Sequence, residues 1–126
     1  MNIICIEPDV VLARVYKKVF TENATTTCRI CLDPQAAIEQ IDAHSPDCIV
    51  MELQLAPLSG FAFLQELRSY EDFSTIPVII YSSVPKDSLA TSESSWRALG
   101  VQHYFYKSTT SVQTVAKYIQ RLAHAD

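Results

Sequence analysis

Three apolar runs in this chain each stop on charge. Ile3-Ile4-Cys5-Ile6 stops at Glu7-Pro8-Asp9, Cys48-Ile49-Val50-Met51 stops at Glu52, and Tyr104-Phe105-Tyr106 stops at Lys107. An apolar strand that ends on a carboxylate holds it at the mouth of a parallel sheet, where open α/β sheets take their ligands. Acids gathered against one lysine suit a divalent cation and a phosphoryl group, since the carboxylates offer hard oxygens and the ammonium a compact positive charge. The remaining reactive types offer less. His44, His103 and His124 have no ligand spacing. Cys28-Arg29-Ile30-Cys31 spells C-x-x-C but lies in a β-branched stretch, where residues three apart face opposite ways. Its sulfurs are therefore expected to diverge as plain thiols.

Charges at strand ends need strands and helices to hold them there, and the hydrophobic period switches along the chain as such a fold requires. A strand at Ile3 to Glu7 leads to a helix capped by Asp9, with Leu12, Val15, Tyr16 and Val19 expected inward. A second strand, Cys28 to Leu32, is followed by Asp33 as N-cap with Pro34 at the first helical position, and Ala37, Ile38 and Ile41 point inward. The third strand, Cys48 to Met51, shows no polar alternation and is expected to be buried on both faces. Ser59-Gly60 opens a helix carrying Phe61, Phe63, Leu64 and Leu67. The fourth strand, Ile76 to Tyr81, has Pro77 near its start. A Ser-rich fourth helix is expected over 86–99 with a thin apolar face of Leu89, Trp96 and Leu99, ended by Gly100. His103 to Tyr106 is the fifth strand, with Phe105 facing the core and Tyr104 and Tyr106 sharing the other face. Ser111 caps a last helix with Val112, Val115, Ile119 and Leu122 inward.

Composition sets bounds on function. The 126 residues, 48% hydrophobic and 19% charged, read as one domain over 1–126 with a core of its own. A net charge of −4 gives no electrostatic reason to bind nucleic acid. No run approaches a membrane span and Met1 leads straight into a strand, so a cytoplasmic protein without membrane contact is expected.

At the strand ends the chain resembles the receiver domain of bacterial two-component response regulators, over its whole length. Asp9 matches the metal-binding second acid of that family's acidic pair. Glu52 stands at the phosphorylated aspartate, with Gly60 eight residues later. Ser82 matches the strand-4 hydroxyl that senses a phosphoryl group, Tyr104 the strand-5 aromatic switch and Lys107 the strand-5 lysine. The resemblance implies a flavodoxin-like (CheY-like) doubly wound α/β fold of five strand–helix units, its parallel sheet in the order 2-1-3-4-5. It also implies work in phosphorelay signalling through protein partners, a histidine kinase or an output protein, met on the strand 4/strand 5 and last-helix face.

The departures from the pattern bear on the chemistry. Glu52 replaces the phosphoacceptor, Pro8 the first acid, and Ser108 the proline after the lysine, while Pro57 lies one residue late. A Glu carboxylate reaches about 1.5 Å beyond that of Asp. It fills space an incoming phosphoryl would need, and a misplacement of this order can cost about 100-fold in rate. For Mg²⁺ only Asp9, Glu52 and the Gln54 carbonyl remain, a weak or absent site; the strand pleat is expected to aim Glu7 elsewhere. Glu52 is expected to reach Lys107 and Ser82. Two consequences stay open: the acid merely neutralises Lys107, or it draws Ser82 and Tyr104 into an active-like arrangement without phosphate. The leading reading is a stand-alone, atypical receiver that is not phosphorylated, is not an enzyme and acts through protein–protein contacts. A working phosphoryl acceptor with Mg²⁺ is the alternative. A flavodoxin-like cofactor binder is remote, because Glu7-Pro8-Asp9 would repel a flavin phosphate.

Overall fold

The strands form where apolar residues run without interruption, and the helices where they recur every three to four positions. The computed structural model describes residues 1–123. In chain order the elements are β1 (Asn2–Ile6), α1 (Val10–Phe20), β2 (Thr27–Cys31), α2 (Pro34–His44), β3 (Cys48–Met51), α3 (Gly60–Ser69), β4 (Val78–Ser82), α4 (Glu93–Ala98), β5 (Val101–Tyr106) and α5 (Val112–Ala123), with single 3-10 turns at Glu71–Phe73 and Lys86–Ser88. The five strands make one parallel sheet in the order β2-β1-β3-β4-β5. This is the flavodoxin-like, doubly wound arrangement.

Alternation along each strand divides the core into two layers. Ile3, Cys5, Cys48, Val50, Ile79, Tyr81 and Phe105 pack under α1 and α5, against Tyr16, Phe20, Val115 and Ile119. Ile4, Ile6, Ile49, Met51, Val78 and Ile80 pack under α2, α3 and α4, against Ala37, Ile41, Phe63, Leu64, Leu67 and Trp96. β3, buried at every position, is the centre of both layers. Cys28 joins the first layer and Cys31 the second, so the C-x-x-C pair diverges across the sheet, and all four thiols are free and buried.

The caps follow from local chemistry. Asp9, Asp33 and Ser59 each accept a backbone N–H from the first turn of the helix they open, and Ser111 accepts that of Thr114. Gly100 turns the chain out of α4 at φ 76°, in the left-handed region glycine adopts most readily.

Four details differ from expectation. β2 lies one residue earlier, at Thr27–Cys31. In α1 the buried residues are Ala13, Tyr16, Val19 and Phe20, while Val15 is exposed; the two aromatics take the sheet contact and leave Val15 outward. The expected helix over 86–99 is a 3-10 turn followed by a six-residue α4, because a serine-rich segment competes for its own backbone, and Trp96 is the buried residue of α4, with Leu89 and Leu99 half-buried beside it. β5 begins at Val101 and carries an irregularity against Val78/Ile79, which absorbs Gln102. His124 lies outside the described residues.

Candidate functional site

The carboxyl ends of β1, β3, β4 and β5 converge on the Glu52 carboxylate. Pairing runs one residue past each strand: Glu7 N–H donates to the Cys31 carbonyl, Glu52 N–H to Ile6 and Lys107 N–H to Ser82, at 3.0, 3.0 and 2.8 Å. Glu7, Glu52 and Lys107 thus keep the alternation of Cys5, Val50 and Phe105, and all three side chains emerge on the α1/α5 side of the sheet.

Glu52 is 4% exposed, and donors surround both its oxygens. Oε2 accepts the backbone N–H groups of Leu53 and Gln54, at 2.7 and 3.1 Å, and the Ser82 hydroxyl. Oε1 accepts the Ser83 N–H at 3.0 Å and the Lys107 ammonium at 2.9 Å. Ser83 Oγ stands 3.1 Å from Glu52 Oε1 and 3.0 Å from Gln54 Oε1, so its single proton is shared between them. Burial by itself raises the carboxyl pKa. The bonds from Ser82, Lys107, Ser83 and Gln54 outweigh that and lower it to about 2. Lys107 shows the mirror image: burial disfavours its charge, but Glu7 and Glu52 together push its pKa up.

Glu7 corrects the sequence reading. It is buried, at 3% exposure, and its Oε1 accepts the Lys107 ammonium at 2.5 Å. Glu7 and Glu52 therefore clamp one lysine between them, and the ammonium lies 5.9 Å from the centre of the Tyr16 ring. The pleat was expected to aim Glu7 away; counting the alternation back through Cys5 and Ile3 puts it inward. Asp9, expected among metal ligands, instead points at its own helix. Its Oδ1 accepts the Val11 and Leu12 N–H groups at 2.9 and 3.1 Å. Ser83 was also missed, since only a backbone turn after Ser82 brings its N–H round to the carboxylate.

These residues do not fit a divalent cation. Mg²⁺ needs several hard oxygens with free lone pairs around one point. Here the Asp9 carboxylate is turned to α1, and an ammonium already stands between Glu7 and Glu52.

From Glu52 a line of hydrogen bonds leads to the surface. Ser82 Oγ, donating to Glu52, accepts the Val84 N–H at 3.0 Å, and the Val84 carbonyl accepts the Tyr104 hydroxyl at 2.5 Å. The Tyr104 ring is half-buried and packs edge-on against Trp96, 5.4 Å between centres, while Trp96 stacks on Phe61 at 5.1 Å. The sequence-predicted residues Glu52, Ser82, Lys107, Tyr104 and Gln54 therefore belong to one connected cluster, Glu7 and Ser83 join it, and Asp9 stays outside.

Comparison with known proteins adds the family context. The response regulator receiver domain profile matches residues 3–119. A gliding motility regulatory protein of Myxococcus xanthus is 33% identical over 92 residues, 71% of this chain and 11% of that protein. A protein-glutamate methylesterase/protein-glutamine glutaminase of Anaeromyxobacter dehalogenans is 34% identical over 67 residues, 53% of this chain and 17% of its own length. The chain thus spans under a fifth of either relative. Among solved structures, the Francisella response regulator 1452 receiver domain aligns with a TM-score of 0.79 at 23% identity, covering 98% of this chain and 96% of that one. A sensor protein of a Polaromonas species aligns with a TM-score of 0.84 at 16% identity, over 98% and 95% of the two chains.

Proposed function

This chain belongs to the response regulator receiver domain family, and from that premise we propose that it is an atypical receiver in which Glu52 takes the phosphoacceptor position and acts as a built-in substitute for the phosphoryl group. The observation that carries the reading is the unbroken line Glu52–Ser82–Val84–Tyr104. Donors suited to an anion (a serine hydroxyl, backbone N–H groups and a lysine) already hold one, and the last residue of the line is the aromatic at the switch position. A Glu52 that only neutralised Lys107 would leave Ser82 and Tyr104 without this connection.

The same geometry argues against phosphoryl transfer. A nucleophilic carboxylate needs a free lone pair directed at phosphorus, in line with the leaving group. The Glu52 oxygens face bound donors, and the ammonium excludes the cation that would offset the developing charge. The module then works by presenting a fixed surface around β4, β5 and α5 to a protein partner, with no catalytic step of its own.

Incubation with acetyl phosphate and Mg²⁺, followed by intact-mass measurement, tests this. The parent chain keeps its mass, and Glu52→Asp, which shortens the side chain and restores the acceptor type, gains one phosphate slowly. A stoichiometric phosphate on the parent that is lost in Glu52→Gln would overturn the reading.

A further inference from the structure

Two surfaces on opposite sides of the sheet carry opposite charge. A groove of about 620 Å³ lies between α2 and α3, closed by the loop after β3. Its floor is apolar, from Ile38, Pro57 and Leu58, and its rim is acidic, from Asp33, Glu39 and Glu66. The groove continues past Ile38 and Glu39 to Asp42, Glu71 and Asp72, and among the described residues no basic side chain lines either part. The nearby Arg68 is spent inward on the carbonyls of Leu99, Phe73 and Ile76. On the opposite side of the sheet, α1 turns outward a stripe of the reverse chemistry. Val11, Arg14, Val15 and Lys18 follow the i, i+3, i+4, i+7 spacing of one helix face. Val11 is 70% and Val15 43% exposed. Among the described residues, neither Arg14 and Lys18 nor the groove acids form ion pairs.

We infer that the groove between α2 and α3 seats the outer face of α1 from a second copy of this chain. The match has both parts of a helix-in-groove contact. Val11 and Val15 meet an apolar floor, and Arg14 and Lys18 meet an acidic rim that has no ion-pair partner among the described residues. Two surfaces carrying unpaired charge of opposite sign attract, and the attraction also fixes which way round they dock. The contact joins unlike patches, so it is head-to-tail and leaves one groove and one stripe free at the ends of any assembly that does not close.

Sedimentation velocity of the whole chain over a concentration series, at low and at molar salt, reads this directly. The expected result is a concentration-dependent rise from the 14.1 kDa monomer. The association should weaken about tenfold or more at molar salt, where the screening length is about 3 Å. Charge reversal then identifies the faces. Arg14→Glu with Lys18→Glu stays monomeric, as does Glu39→Lys with Glu66→Lys, while an equimolar mixture of the two variants associates again. All four positions are exposed, so circular dichroism should report intact folds. A parent that is monomeric throughout, variants that self-associate like the parent, or a mixture that stays monomeric would each overturn the inference.

Discussion

At Glu52 a buried charge is held by backbone N–H groups, serine hydroxyls and an ammonium, and the stability of the protein depends on its ionisation. The carboxyl pKa falls from an ordinary 4.5 to about 2. A depressed acid stabilises the fold above its unfolded pKa, and this contribution is lost as pH drops through the folded value. The loss should therefore lie between pH 4.5 and 2 and amount to roughly 3 kcal/mol. Denaturant unfolding at stepped pH checks it: the parent weakens across that window, and Glu52→Gln, with nothing to protonate, weakens less. Equal slopes would contradict the assignment. Lys107 carries the complementary test. Lys107→Ala leaves Glu7 and Glu52 facing each other, buried and unpaired, at a cost of about 3–5 kcal/mol near neutral pH. Part of that loss should return in Lys107→Ala with Glu52→Gln, because one of the two abandoned charges is then gone; a purely additive double variant would mean that the pair does not interact.

At the scale of elements, the loop from β3 to α3 aims two of the N–H groups that bind Glu52. It is held by the Gly60 N–H on the Leu53 carbonyl at 3.0 Å. A Cβ at Gly60 would stand 2.7 Å from Leu53 Cα and 2.8 Å from its carbonyl oxygen, so backbone must move. Gly60→Ala is expected to cost about 1–3 kcal/mol and to raise the Glu52 pKa towards normal, as NMR titration of the side-chain carboxyl would show; an unmoved titration would contradict this. The elements were largely legible from sequence, for identifiable reasons. β3 was readable because an unbroken apolar run has no other place in a doubly wound sheet, and α2 because Asp33-Pro34 marks a helix start by side-chain chemistry. Glu52 and Lys107 stood out as charges at strand ends, while Ser82 and Tyr104 came from the family resemblance. Glu7 was not legible as a site residue, because Pro8 obscured where the pleat ends, and Asp9 carries two plausible duties, ligand and cap, of which the helix takes the second. α4 was overextended because Ser92, whose hydroxyl accepts the Ser95 N–H and meets the Ser94 and Ser95 hydroxyls, caps the helix and starts it late in the segment.

Across the whole molecule, a sheet with two independent core layers connects the strand-end cluster to its outer surfaces. The layer under α2, α3 and α4 includes Trp96 and packs against Tyr104, so the line from Glu52 ends on an aromatic that rests on that core. Allosteric proteins can change by small shifts between discrete packings, and on the reading proposed above the internal carboxylate selects one of them. The central claim is that Glu52, without phosphate, holds Tyr104 inward. The most direct test is NMR of the ring-labelled Tyr104 side chain in the parent and in Glu52→Gln, with no phosphodonor present. One inward ring state is expected in the parent, with cross-peaks to Trp96 and Val84, and loss or averaging of those cross-peaks in a folded Glu52→Gln. Tyr104 spectra that superimpose in the two proteins would contradict it.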